Sequence, residues 1–183
     1  NTLHNVLSFN GTKDKIDVEI SMQYTDTYNE NIVSFVNNVK TIDGGSHEVG
    51  FKTALTKVFN DYAKSNGFIK GNAGNFDGSD VREGLTAIVS LKIPEGILQF
   101  EGQTKGKLGT PQAKPAVENI VTENLRIYLE ENRARQEARA SYKNRTMQVL
   151  ADEDVGVDNK TQESIDKNKK RGKTLMSFSS FDQ

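Results

Sequence analysis

Between Gln99 and Thr110 the chain reads QFEGQTKGKLGT, with three glycines and two lysines in twelve residues. Glycine takes backbone angles that a Cβ forbids and lets other groups approach the main chain. A lysine ammonium is a compact, mobile cation suited to a phosphate. The pattern fits a loop that delivers a cation to an anion held elsewhere, and it also fits a solvated surface turn, where such residues are common. It is not a phosphate-cradling G-x-x-x-x-G-K-[ST] loop. Gly102 and Gly106-Lys107 stand one residue too close, with Leu108 in the hydroxyl position. A second decoy, Gly172-Lys173-Thr174, has Lys167 where the first glycine belongs.

Other residues invite chemistry less strongly. His47 beside Glu48 could form an acid–base couple, but no nucleophile or third member accompanies them, and packing at a helix start is the simpler reading. Asp77, Asp80 and Glu83 offer the oxygens that Mg2+ takes, yet a loop turn and a helix cap account for all three. His4 falls on an expected strand. Lys167, Lys169, Lys170, Arg171 and Lys173 form a basic run without interleaved aromatics, the composition of a solvated tail rather than of a nucleic-acid site.

Composition narrows the classes. The 183 residues suffice for one domain with a proper core, and the 34% that are apolar concentrate before residue 130. A formal net charge of −1 argues against wholesale attraction to DNA or an anionic membrane. The absence of cysteine excludes disulfides and thiolate metal sites and accords with a cytoplasmic home. No apolar stretch approaches the roughly 20 residues of a membrane span. The N-x-[ST] triplets at Asn10, Asn144 and Asn159 therefore read as chance. Asn1 to Phe9 already reads as a strand with no starting methionine, so the chain is expected to be a piece of something larger.

These candidates need elements to position them. Leu3 to Phe9 and Ile16 to Tyr24 read as strands joined through Asn10-Gly11, a strong turn signal. Val18, Ile20 and Met22 alternate with polar residues, as one buried face requires. Asn31 to Val39 is a third strand, with Val33, Phe35 and Asn37 on one face. Asp43-Gly44-Gly45 breaks the chain, and Ser46 can cap a helix carrying Phe51, Ala54, Leu55, Val58, Phe59 and Tyr62 at helical spacing. Gly67 ends it. A polar loop follows at 71–78, and Asp80 with Glu83 can make a capping box. Leu85 to Ile93 and Ile97 to Phe100 are strands. Beyond the glycine-rich loop, Thr110 caps a helix begun by Pro111, apolar at helical spacing from Ala113 to Leu129 and solvated from Glu131 to Ala140. Residues 152–183 are polar and aperiodic, with Leu175, Met176, Phe178 and Phe181 able to dock. The predicted class is an α+β sandwich, one sheet with helices packed on one face.

Four stretches occur in order: Ser34-Phe-Val-Asn-Asn-Val-Lys-Thr41, Asp43-Gly-Gly-Ser-His-Glu-Val-Gly-Phe51, Asp77-Gly-Ser-Asp-Val-Arg-Glu-Gly-Leu-Thr86 and Gln99-Phe-Glu-Gly-Gln-Thr-Lys-Gly-Lys-Leu-Gly109. Together they resemble the transducer domain of the B-type subunit of bacterial type IIA DNA topoisomerases, a family that includes gyrase B and its topoisomerase IV counterpart. SFVNNVKT and LGTPQAKPAVE look more like the topoisomerase IV branch. The resemblance covers residues 1–140 and implies a fold like ribosomal protein S5 domain 2, with one mixed sheet and a long exit helix from about residue 111. Residues 141–183 are left as an unassigned polar tail. Two departures stand out. The ATPase domain that accompanies the transducer in that family is not among these 183 residues. The family's exit helix is usually longer, whereas here Glu131-Asn-Arg133 runs abruptly into Ala134 to Arg139 and nothing from Ser141 onward matches the transducer.

In that family the domain follows a nucleotide-binding domain of the gyrase/Hsp90/histidine-kinase/MutL type. The resemblance implies that Lys105 is the catalytic cation contacting the ATP γ-phosphate, and that Gln103 helps to position the phosphate or the attacking water. ATP and Mg2+ would be held mainly by the neighbouring ATPase domain, and none tightly by this chain. Implied partners are that domain, an A-type subunit in a heterotetramer, a second B-type subunit on ATP binding, and DNA. The implied activity is that of an ATP-hydrolysing isomerase in the cytoplasm, coupling hydrolysis to strand passage, decatenation and relaxation. The alternatives are a gyrase B transducer (supercoiling), a standalone S5-like nucleic-acid-binding module, and a structural dimerisation domain.

Overall fold

A computed structural model describes residues 2–69 and 74–153, with side chains as far as residue 141 apart from residue 139. In β2 (Ile16–Tyr24) every second side chain is apolar, and Ile16, Val18, Ile20 and Met22 are buried. β5 (Leu85–Lys92) repeats the pattern with Leu85, Ala87, Val89 and Leu91. The two pair antiparallel, Val18 opposite Leu91 and Ile20 opposite Val89, so their apolar sides form one face. β1 (Leu7–Lys13) extends the sheet beyond β2. β3 (Asn31–Val36) lies parallel to β5, and β4 (Val39–Lys40) completes the order β1-β2-β5-β3-β4. The sheet is therefore mixed.

Two helices cover the apolar face. α1 (Ser46–Ser65) buries Phe51, Ala54, Leu55 and Val58, while Phe59 sits half-buried, edge-on to Tyr24. The first part of α3 (Ala113–Glu153) buries Ala113, Ala116, Val117, Ile120, Val121 and Leu125. Gly50 lets these helices meet closely, since a Cβ there would lie 2.5 Å from the Lys114 carbonyl oxygen. The other face of the sheet, bearing Glu19, Ser21, Val33, Phe35, Ile88 and Ser90, is uncovered to varying degrees. A short α2 (Gly78–Arg82) precedes β5, and β6 (Phe100–Glu101) pairs with β7 (Lys107–Leu108) as a separate hairpin. The α+β class with helices on one face agrees with the expectation from sequence.

The chain divides into Asn1–Tyr128, which holds all of these packed elements, and Leu129–Gln183. In the second unit α3 continues to Glu153, with i,i+4 ion pairs Arg133–Glu137 at 2.7 Å and Arg135–Glu131 at 3.8 Å. The basic run at 167–173 and the apolar residues from Leu175 to Phe181 lie outside the described residues, as do residues 71–73 of the expected polar loop.

Several local expectations are corrected. β1 starts at Leu7 and runs straight through Asn10-Gly11; the turn falls at Asp14-Lys15, whose φ values of 51° and 64° suit a tight hairpin turn. Gly11 instead makes room for Ile120, whose Cδ1 would lie 2.4 Å from a Cβ there. His4 precedes β1 and accepts the Tyr24 amide on Nε2 at 3.1 Å. Val33 and Phe35 do share a face, but it is the uncovered one; Ser34 and Val36 face the core. Gly45, not Ser46, is the N-cap of α1, and the capping box of α2 joins Asp77 to Asp80 rather than Asp80 to Glu83. Of the expected strand at 97–100 only Phe100 is in β6.

Candidate functional site

The predicted phosphate-contacting residues sit at the tip of the β6–β7 hairpin. Its root is fixed by main-chain bonds to the turn before α1. The Asp43 N–H donates to the Gly106 carbonyl at 2.8 Å, the Leu108 N–H to Gly44 at 3.0 Å, and the Gly109 N–H to Gln99 at 2.8 Å. Gly45, at φ 140°, must be glycine, because a Cβ would sit 2.4 Å from the Leu108 carbonyl oxygen. Thr110 locks the exit: its buried hydroxyl accepts the Gln99 N–H at 2.9 Å and donates to the Ile97 carbonyl at 3.1 Å. That hydroxyl therefore serves the loop and not the end of α3. The Thr110 carbonyl in turn accepts the Ser46 hydroxyl at 2.7 Å.

Beyond this root Gly102, Gln103, Thr104 and Lys105 are exposed. Lys105 has φ 53°, the left-handed region, which costs a non-glycine residue of order 1–3 kcal/mol. The two lysines differ in company. Lys107 reaches across the hairpin to Glu101 at 2.7 Å, and that hydrogen bond raises its pKa. Lys105 makes no ion pair among the described residues. Gln103 and Lys105 are thus brought together on one exposed tip, with Lys105 as its uncommitted cation.

The other candidates part company. His47 is fully buried, and burial pushes its pKa down to about 4. It pairs through Nε2 with Thr41 Oγ1 at 3.0 Å, whereas Glu48 accepts from Ser34 Oγ at 2.6 Å, so the two are not an acid–base couple. Asp80 accepts the Asp77 N–H at 3.1 Å as a helix cap. Among the described residues no group of three or more His, Asp or Glu side chains could hold a metal ion. Two clusters were not visible in the sequence. One is the set Ser34, Thr41, His47 and Glu48 just named. In the other, Glu30 is bridged to Lys52 at 3.0 Å and Arg82 at 2.9 Å. Burial opposes ionisation of Glu30, but hydrogen bonds from Arg82 and Lys52 outweigh it and hold its pKa below the usual value. The one available signal was a lone serine between apolar residues in β3.

A profile of the DNA gyrase B family matches residues 1–151, and the chain belongs to that family of type IIA topoisomerase B subunits. The B subunit of DNA topoisomerase 4 from Staphylococcus aureus is 58% identical over 129 residues, which are 70% of this chain and 20% of that protein. The preference for the topoisomerase IV branch is consistent with this. Among solved structures, the 43K ATPase domain of Thermus thermophilus gyrase B, in complex with an aminocoumarin, superposes with a TM-score of 0.64 at 37% identity, covering 77% of this chain and 40% of that one. The B-subunit of the DNA gyrase from Myxococcus xanthus gives 0.58 at 31% identity, covering 70% and 35%. The chain spans 20% of the length of the curated relatives it matches.

Proposed function

We propose that this chain is the ATP-transducing domain of the B-type subunit of a type IIA DNA topoisomerase, S5 domain 2-like over residues 1–140, with an exit helix from about residue 111. It couples ATP hydrolysis in an adjacent ATPase domain to movements of the DNA gate and clamp. The observation that carries this reading is the hairpin, fixed at its root by Asp43, Gly44 and Thr110 and presenting at its tip Lys105, which makes no ion pair among the described residues. An exposed ammonium with no carboxylate partner fits a phosphate. ATP with Mg2+, held by the neighbouring domain, supplies the phosphoryl group. Lys105 would stabilise negative charge on it, and Gln103 would orient the attacking water or a phosphate oxygen. A contact available only before hydrolysis favours one domain arrangement over another, which is what transduction requires. The kinship with the topoisomerase 4 relative favours decatenation and relaxation over supercoiling, with an A-type subunit, a second B-type subunit and DNA as cytoplasmic partners.

The test is steady-state hydrolysis in the full-length protein. Lys105→Ala should lower kcat by roughly 10²–10³, the usual cost of one such donor, while nucleotide affinity falls less. Lys107→Ala, already engaged by Glu101, should stay within about threefold of wild type, since exposed ion pairs contribute little. Equal, small effects for both lysines would reduce the hairpin to a surface turn.

A further inference from the structure

Beneath the turn that holds the hairpin lies a chain of polar side chains with no part in the chemistry above. Ser34 of β3, Thr41, and His47 of α1 are all buried. His47 Nε2 lies 3.0 Å from Thr41 Oγ1, Thr41 Oγ1 bonds to Ser34 Oγ, and Ser34 Oγ donates to Glu48 Oε1 at 2.6 Å. One proton arrangement serves every link: His47 Nε2–H gives to Thr41, Thr41 to Ser34, and Ser34 to the Glu48 carboxylate. It leaves His47 Nδ1 as a bare lone pair. That atom is the one buried side-chain nitrogen or oxygen without a partner among the described residues. The opposite tautomer would strand an N–H, which is costlier.

A hydrogen-bonded pair can often be replaced by apolar groups of the same shape at little cost, whereas a linked buried network fixes the positions of the segments it joins. Its placement is more telling. The Thr41 N–H donates to the Ser34 carbonyl at 2.9 Å, and its carbonyl accepts the Gly44 N–H at 3.1 Å. The Glu48 carboxylate lies directly under Gly44, where a Cβ would come within 2.9 Å of Oε2. Asp43 and Gly44 are the residues that hold Gly106 and Leu108. We infer that the chain His47–Thr41–Ser34–Glu48 is a positioning device, tying β3 and the first turn of α1 to the hairpin so that Lys105 is aimed by the body of the domain. Thr41 and Ser34 are its working links, and neither touches a reacting atom.

This rests on Lys105 as the phosphate-contacting cation, so the test has two arms. In the full-length protein, Thr41→Val should lower kcat for ATP by about tenfold or more with KM within about twofold, since small misplacements of a reacting group cost rate more than binding. Thr41→Ser, which restores the hydroxyl, should return kcat to within about twofold of wild type. In the 183-residue chain itself, Thr41→Val should speed amide exchange at Asp43 and Leu108 about tenfold or more relative to Val89 in the core. If Thr41→Val does not fold, Ser34→Ala carries the same expectations. Unchanged kcat in a protein where Lys105→Ala is impaired, or exchange rising equally at Val89, overturns the inference. A silent Lys105→Ala sinks the functional reading instead, while the exchange arm still decides whether the network positions the hairpin.

Discussion

His47 has nowhere to put a second proton. Its Nδ1 faces no acceptor, and burial holds its pKa at about 4, against 6.5 for a free imidazole. The sign follows from linkage: the folded state binds the proton less readily than the unfolded chain, so no penalty exists above pH 6.5 and stability drains away as pH falls toward 4. At about 1.4 kcal/mol per pH unit the loss approaches roughly 3 kcal/mol. Urea denaturation at a series of pH values should show that loss in wild type and its absence in His47→Gln, which keeps a donor for Thr41; parallel stability curves would refute it. Gln103 and Lys105 could be singled out together because they share one contiguous loop, and the role proposed for them is what the family resemblance implies. Ser34, Thr41 and His47 were not legible as a set, since their bonds join residues that only the folded sheet and helix bring together.

Among the elements, the crossing of α1 and α3 turns on Gly50. Helix propensity alone predicts that Gly50→Ala gains about 1 kcal/mol. The added methyl would stand 2.5 Å from the Lys114 carbonyl, which is main chain and cannot swing aside. Overpacking of this kind costs about 1–3 kcal/mol, so the variant should lose stability despite the better propensity. Gly96→Ala, with nothing within 4 Å of its Cβ, should stay within about 0.5 kcal/mol of wild type. A urea midpoint that rises for Gly50→Ala would mean the helices do not meet as described. The buried faces of α1 and β2 were legible as plain periodicity, whereas β5 was legible only as an apolar run. The β1–β2 turn was not: Asn10-Gly11 is the better local turn signal, but that glycine answers to Ile120 on α3, and Asp14-Lys15 takes up the left-handed geometry without a glycine.

For the molecule as a whole, the chain on its own should bind nucleotide poorly. Among the described residues the proposed contacts are Gln103 and Lys105, both exposed. One ion pair in water contributes about 1 kcal/mol at about 4 Å, whereas micromolar binding needs about 8 kcal/mol. Calorimetry with Mg–ATP should register no micromolar site, and finding one would show that this chain holds far more of the nucleotide than a single edge.

The parallel pairing of β3 with β5 has a further consequence, in the order of assembly. β1 and β2 can close as a hairpin as soon as both exist. The strand that joins β2 to β3, however, is β5, and β4, α1 and α2 must all be made before it. Until then β2 and β3 each carry an open edge able to pair with another chain. Closing that long crossover, rather than forming either helix, then sets the pace at which the nascent domain becomes safe from aggregation.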